Sequence, residues 1–268
     1  PIAWVLLPFM LAGALWWFDR WQARRGKRPE KRLPVHFGWL YGLAFLACLT
    51  HPALDWLNVY GIRLLEPFSS RWFYGDVLFI IDVWLWALLG FATWFSLHRE
   101  KRGGEWKRPA RIALLFALAY IGGNWGMTRE LRQFGSLDVS EGPPIVAPVP
   151  FKFWARDLIF PSDAGTFRVL PEFTGPVHQP VTQRLGDYHL PSCRLQDEAR
   201  RNSQLAAFLF WSRAPFAERA PDGSVLIRDA RFYDPRARDQ FTVALKDVKC
   251  EPLNSPPLRE GLGVGVRR

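Results

Sequence analysis

The chain has 268 residues, enough for two domains, and is 49% hydrophobic and 15% aromatic with 14 Trp, a tryptophan content that points to membrane-interface belts. Its formal charge is +10, but residues 129–268 carry 20 Lys/Arg against 17 Asp/Glu. That near balance leaves no strong one-sign field in the C-terminal half and argues against a nucleic-acid partner.

Apolar segments come first. The chain opens at Pro1 directly in an apolar run, so it reads as starting inside a longer protein, without the basic n-region or cleavage site of a signal peptide. Residues 1–18, 36–54, 77–97 and 112–128 are each about long enough to cross a bilayer core of about 30 Å, and Asp82 is the one acid among them. The first connecting loop carries Arg20, Arg24, Arg25, Lys27, Arg28, Lys31 and Arg32, and the third carries Arg99, Lys101, Arg102, Lys107, Arg108 and Arg111. The second, 55–76, carries only Arg63 and Arg71. By the positive-inside rule, loops one and three are cytoplasmic, while loop two and everything after the fourth segment lie on the other side, the periplasm of a bacterium.

Residues 129–138 are polar and leave the membrane. The run from Gly142 to Pro150 is proline-rich and suits a semi-rigid polyproline linker. A mixed domain follows, with strand-like stretches at 166–173, 225–233 and 241–249, an amphipathic helix at 196–211 and a turn at Pro221-Asp222-Gly223. Cys48 falls in the second segment, where packing is its expected role. Cys193 and Cys250 would share the periplasmic domain, where they could form a disulfide. His178, Asp187 and His189 read as surface groups, and residues 253–268 as a disordered tail.

The polar residues collect between the second and third segments. On a helix, His51 and Asp55 share one face, a spacing from which two side chains can grip one divalent cation. Asp82 is the natural third ligand. It is expected about a turn and a half into the third segment, at a depth similar to the end of the second. Asp76 is either a further ligand or the N-terminal cap of the third helix. Asn58 more often ends a helix than binds a metal, and Tyr60-Gly61 fits a helix terminus. A metal held there would lower the pKa of a bound water, with Asp82 or Asp76 as general base. Zn, Mn or Mg would each serve. Without a metal, the same residues would hydrogen-bond neighbouring helices or headgroups. There is no phosphate loop, no dinucleotide fingerprint and no nucleophile elbow around Ser69-Ser70.

The stretch His51-Pro-Ala-Leu-Asp55-Trp-Leu-Asn58-Val-Tyr60-Gly61, then Leu65-Glu66-Pro67-Phe68-Ser69, Arg71-Trp72 and Gly75-Asp76 through Ile80-Ile81-Asp82, resembles the YdjM-type family. Its members are described as LexA-binding, inner-membrane-associated, metal-dependent hydrolases. Asp229-Ala-Arg231-Phe232-Tyr233 followed by Phe241 is similar to the family's extended members. The resemblance implies metal-binding roles for His51, Asp55 and Asp82. The family carries a His-Arg-Gly-x-Thr-His-Ser element just before its first membrane segment, and this chain starts where that element would end. It also often has Asp-Pro where this chain has Asp82-Val83, which should leave the third helix straighter.

The expected fold is therefore a membrane all-α domain of four transmembrane helices (1–128), a linker (129–150), a smaller soluble α+β domain (151–252) in the periplasm, and a tail (253–268). The expected activity is metal-dependent hydrolysis at the inner membrane of a phosphoester or lipid-linked substrate. Membrane lipid is the expected partner, with room for a cytoplasmic protein at the basic loops. The competing expectation is a non-enzymatic membrane scaffold or binding protein. A transport role would need more polar groups deep in the segments than Asp82 alone.

Overall fold

The structure, a computed structural model, describes residues 2–27, 35–135, 143–162, 166–174, 182–186 and 195–245. The expectations for His178, Asp187, His189, Cys193, Cys250 and the tail lie outside the described residues. Two compact units emerge: Pro1–Arg132 with Val146–Arg156, and Gln133–Ile145 with Asp157–Arg268.

The first unit begins with two helices, α1 (Ile2–Arg24) and α2 (Phe37–Leu57), joined by edge-to-face and stacked rings of Phe9, Trp16, Phe37 and Tyr41. Both are long and apolar enough to cross a membrane. Pro52 sits inside α2 and removes one helix N–H. The helix ends at Asn58, whose side-chain oxygen accepts hydrogen bonds from the N–H groups of Tyr60 (2.7 Å) and Gly61 (3.3 Å). Gly61 adopts a φ of 85°, and a Cβ there would fall 2.2 Å from the Tyr74 ring, so only glycine fits.

The loop after α2 folds back on itself. Ile62 and Phe73 exchange backbone hydrogen bonds of 2.9 and 2.8 Å. Gly75 N–H reaches Trp56 O at 2.6 Å, and Val77 and Leu78 N–H both reach Leu57 O. Those bonds hold residues 75–78 in a non-helical course, which corrects the expected third segment. Helix α3 runs Val83–Lys101 and does not start at residue 77. Asp82, expected inside that helix, is its N-cap, and its Oδ1 accepts Leu85 N–H at 2.9 Å. Asp76, considered for that capping role, is instead fully buried at a φ of 57°.

Helix α4 (Lys107–Gly135) is longer than the apolar run 112–128, because Arg129 to Gly135 continue the helix rather than leaving it. Leu57, Val77, Leu78, Leu85 and Ala117 form the core beneath α2, α3 and α4. The proline-rich stretch expected as a polyproline linker contains a strand, β1 (Ile145–Val149), followed by β2 (Lys152–Pro161). Extended strand and polyproline conformations share similar ψ values, so composition alone does not separate them.

The α+β character expected of the second part is present, in antiparallel pairing. β3 (Phe167–Phe173) and β4 (Gln183–Leu185) complete a sheet of order β1-β2-β3-β4. β5 (Pro215–Arg219), β6 (Val225–Asp229) and β7 (Thr242–Leu245) form the other sheet, with Ile227 opposite both Ala217 and Val243. The single helix expected at 196–211 is two, α5 (Leu195–Ala199) and α6 (Ser203–Trp211). Asn202 breaks it by capping α6, accepting from Gln204 and Leu205 N–H at 3.0 Å. Leu205 packs on Val225, Ile227, Val243 and Leu245, each side chain contributing about 2 kcal/mol through burial. The strand expected at 225–233 stops at Asp229, whose carboxylate accepts Arg231 N–H and starts a short 3-10 turn, Ala230–Phe232. Asp229 and Arg231 form a fully buried ion pair of 2.7 Å, beside stacked Trp211, Phe232 and Phe241. These are the residues that resembled the extended members of the family.

Candidate functional site: a buried polar network in the first unit

Helix α4 presents Tyr120, Asn124, Thr128 and Arg132 at intervals of four, so the four side chains lie along one stripe of the helix. Each member binds something outside its own turn. Tyr120 donates its hydroxyl to Asp82 Oδ2 at 2.8 Å, so both carboxylate oxygens of the α3 cap are engaged. Thr128 donates to Asp76 O at 2.8 Å, and Arg132 pairs with Asp76 Oδ2 at 2.8 Å.

Arg156, from β2, closes the network. It is 1% exposed, and its five N–H groups meet five acceptors. Nη1 donates to Phe153 O (3.0 Å) and Ala155 O (2.8 Å), and Nη2 to Asn124 Oδ1 (2.6 Å) and Val77 O (3.3 Å). Nε donates to Thr128 Oγ1 at 3.4 Å. Burial pulls the Arg156 pKa down to about 10, opposed by the nearby Tyr120 and Asp82, so the guanidinium remains charged at neutral pH. Trp84 and Phe153 roof the cluster, with Trp84 Nε1 donating to Phe151 O at 2.9 Å and the two rings 5.7 Å apart.

His51 and Asp55 are elsewhere. They pair with each other on α2 at 3.2 Å, with side chains 83% and 36% exposed. The structure thus brings His51 to Asp55, Asp82 to Tyr120 and Leu85, and Asp76 to Arg132 and Thr128. Among the described residues no three of His, Cys, Asp and Glu gather in a group that could hold a metal. The His51–Asp55 pair supplies two ligands where a resident divalent ion needs three or four, and the two other acids are engaged by a phenol, a guanidinium and backbone groups. The described residues therefore do not make a complete metal centre.

Reading the segments by apolar length passed over Tyr120, Asn124, Thr128, Arg132 and Arg156. The four-residue spacing on α4 was the available signal. Arg156 carried none, because its partners in the helical region, Thr128, Asn124 and Val77, are 28 to 79 positions away in sequence.

The model of the YdjM inner membrane protein family matches residues 1–131. This part of the chain is similar to that family. No curated protein and no solved structure matches the chain. The matched region contains α1, α2, α3 and nearly all of α4, with Asp76, Asp82, Tyr120, Asn124 and Thr128 of the network, while Arg132 and Arg156 fall outside it. This similarity to an inner-membrane family agrees with the presence of two helices long and apolar enough to cross a membrane.

Proposed function

We propose that the chain is a multi-pass inner-membrane protein working as a scaffold or binding protein, with its polar network serving to lock the helices. In this reading all four helices cross the bilayer, the two basic loops face the cytoplasm and the second unit is periplasmic. The observation that carries it is the division of α3 and α4 into two faces. Trp86, Phe91, Trp94, Leu115, Phe116 and Leu118 are more than half exposed, while Tyr120, Asn124 and Thr128 turn inward to protein partners. A broad apolar exterior with satisfied polar groups inside suits lipid as the solvent.

Reporter fusions test the topology. A periplasm-dependent alkaline phosphatase should be active when inserted after Phe68 or after Phe151 and silent after Gly104. Activity after Gly104 would reverse the orientation, and silence after Phe151 would remove the fourth span.

Metal-dependent hydrolysis of a phosphoester or lipid-linked substrate is the second reading, and the exposed His51–Asp55 pair is the observation favouring it. For Asp82 to act as ligand or base it would have to give up Tyr120 and its cap of α3. Metal analysis of the purified protein separates the two readings. Stoichiometric Zn, Mn or Mg that disappears in His51→Ala with helicity unchanged supports the hydrolase. Metal-free protein whose stability is the only property changed by His51→Ala supports the scaffold.

A further inference from the structure

A second face of the α4 stripe opens on a cavity of about 310 Å3 lined by Trp56, Tyr74, Gly75, Trp125, Thr128, Arg129 and Arg132. Trp125, Thr128, Arg129 and Arg132 are spaced i, i+3, i+4 and i+7, so one strip of helix surface supplies an indole, a hydroxyl and two guanidinium groups. Facing them, Trp56 lies edge-on to Trp125 with ring centroids 5.2 Å apart, and Tyr74 completes the aromatic wall. Gly75 keeps the wall close: a Cβ there would sit 2.5 Å from Trp56 O.

The two cations are not equivalent. Arg132 has its charge offset by a 2.8 Å pair with the buried Asp76. Arg129 is exposed and has no acidic partner among the described residues. The cavity therefore keeps net positive charge beside three aromatic rings, with a volume at the lower end of the range for small-molecule sites. Guanidinium forks match phosphate oxygens two at a time, and the rings suit the body that carries the phosphate.

We propose that this cavity binds the phosphate of an organic phosphoester, held by Arg129 and Arg132 with its organic part against Trp56, Tyr74 and Trp125. In a membrane-spanning chain the cavity lies at the rim opposite the basic loops, where the headgroup of an anionic phospholipid or a soluble phosphoester could supply the same chemistry. The inference rests on the multi-pass reading for that location, though the site itself does not depend on it.

The test uses the full chain in neutral detergent, titrated with dihexanoyl phosphatidic acid, glycerol 3-phosphate, inorganic phosphate and, as a neutral-headgroup control, dihexanoyl phosphatidylcholine. One saturable site is expected for phosphatidic acid or glycerol 3-phosphate, and the tighter of the two identifies a lipid or a soluble source. Arg129→Gln should weaken binding about tenfold or more, and Arg129→Lys should recover only part of it, because an ammonium lacks the fork. Inorganic phosphate binding as tightly as either ester would overturn the role of the aromatic wall. Equal binding by wild type and Arg129→Gln, or a preference for the phosphatidylcholine, would overturn the site. Helicity and resistance to alkaline extraction from membranes are read on the same variants. Extraction of the wild-type chain would sink the multi-pass reading, whereas loss of binding in a fully retained chain bears on the cavity alone.

Discussion

Arg156 occupies a buried position with no acid in ion-pair contact among the described residues, and what makes it tolerable is that each of its donors has an acceptor. Lysine keeps the charge but offers three donors from one point, so Arg156→Lys should leave two or more acceptors unpaired. Methionine would leave all five. Arg156→Met should cost about 3 kcal/mol or more, and Arg156→Lys nearly as much, seen as lower melting temperatures in detergent. The buried Asp229 of the second unit gives a pH signature. Burial alone would raise its carboxyl, but the Arg231 guanidinium, with hydrogen bonds from Arg231 and Ser212, outweighs burial and holds it below its ordinary value. A lowered folded-state pKa stabilises fully above the unfolded value of about 3.9 and is lost as pH falls through the folded value. The second unit should therefore weaken below about pH 4. Asp229→Asn should flatten that acid limb while costing about 3 kcal/mol at pH 7, because it strands the buried Arg231; a pH series of thermal melts checks both.

At the scale of elements, what could be read from the sequence followed from whether a boundary is set locally. The two apolar helices, the end of α2 at Asn58 and strand β3 come from runs and turn chemistry within a few residues. The start of α3 does not, because Val77 and Leu78 are held by the carbonyl of Leu57, about twenty positions away. A tertiary contact thus overrides a continuous apolar pattern, and with it moves Asp82 from the body of a helix to its cap. Of the candidate site, the His51–Asp55 pairing was legible as an i, i+4 spacing, while the network around Arg156 depends on contacts that no local window contains. The break at Asn202 belongs to the local class, and Asn202→Ala should cost about 1 kcal/mol by leaving Gln204 and Leu205 N–H uncapped, measured by denaturant unfolding. Gly75→Ala should do more, since its Cβ meets the backbone at Trp56 and Leu57 rather than a movable side chain; loss of a single sharp melting transition would register it.

For the whole molecule, the division into compact units does not follow the family boundary. The YdjM match ends at residue 131, yet Val146–Arg156 belong to the helical unit. A chain cut after residue 131 would keep every matched residue and still lose the donor for Asn124 Oδ1 and for Val77 O. Such a fragment should run as aggregates on gel filtration, and one extended to Pro161 should run as a single species. The strand residue thus acts as a latch fitted from outside the matched segment, and any transplant of these helices into another protein would have to carry the latch along.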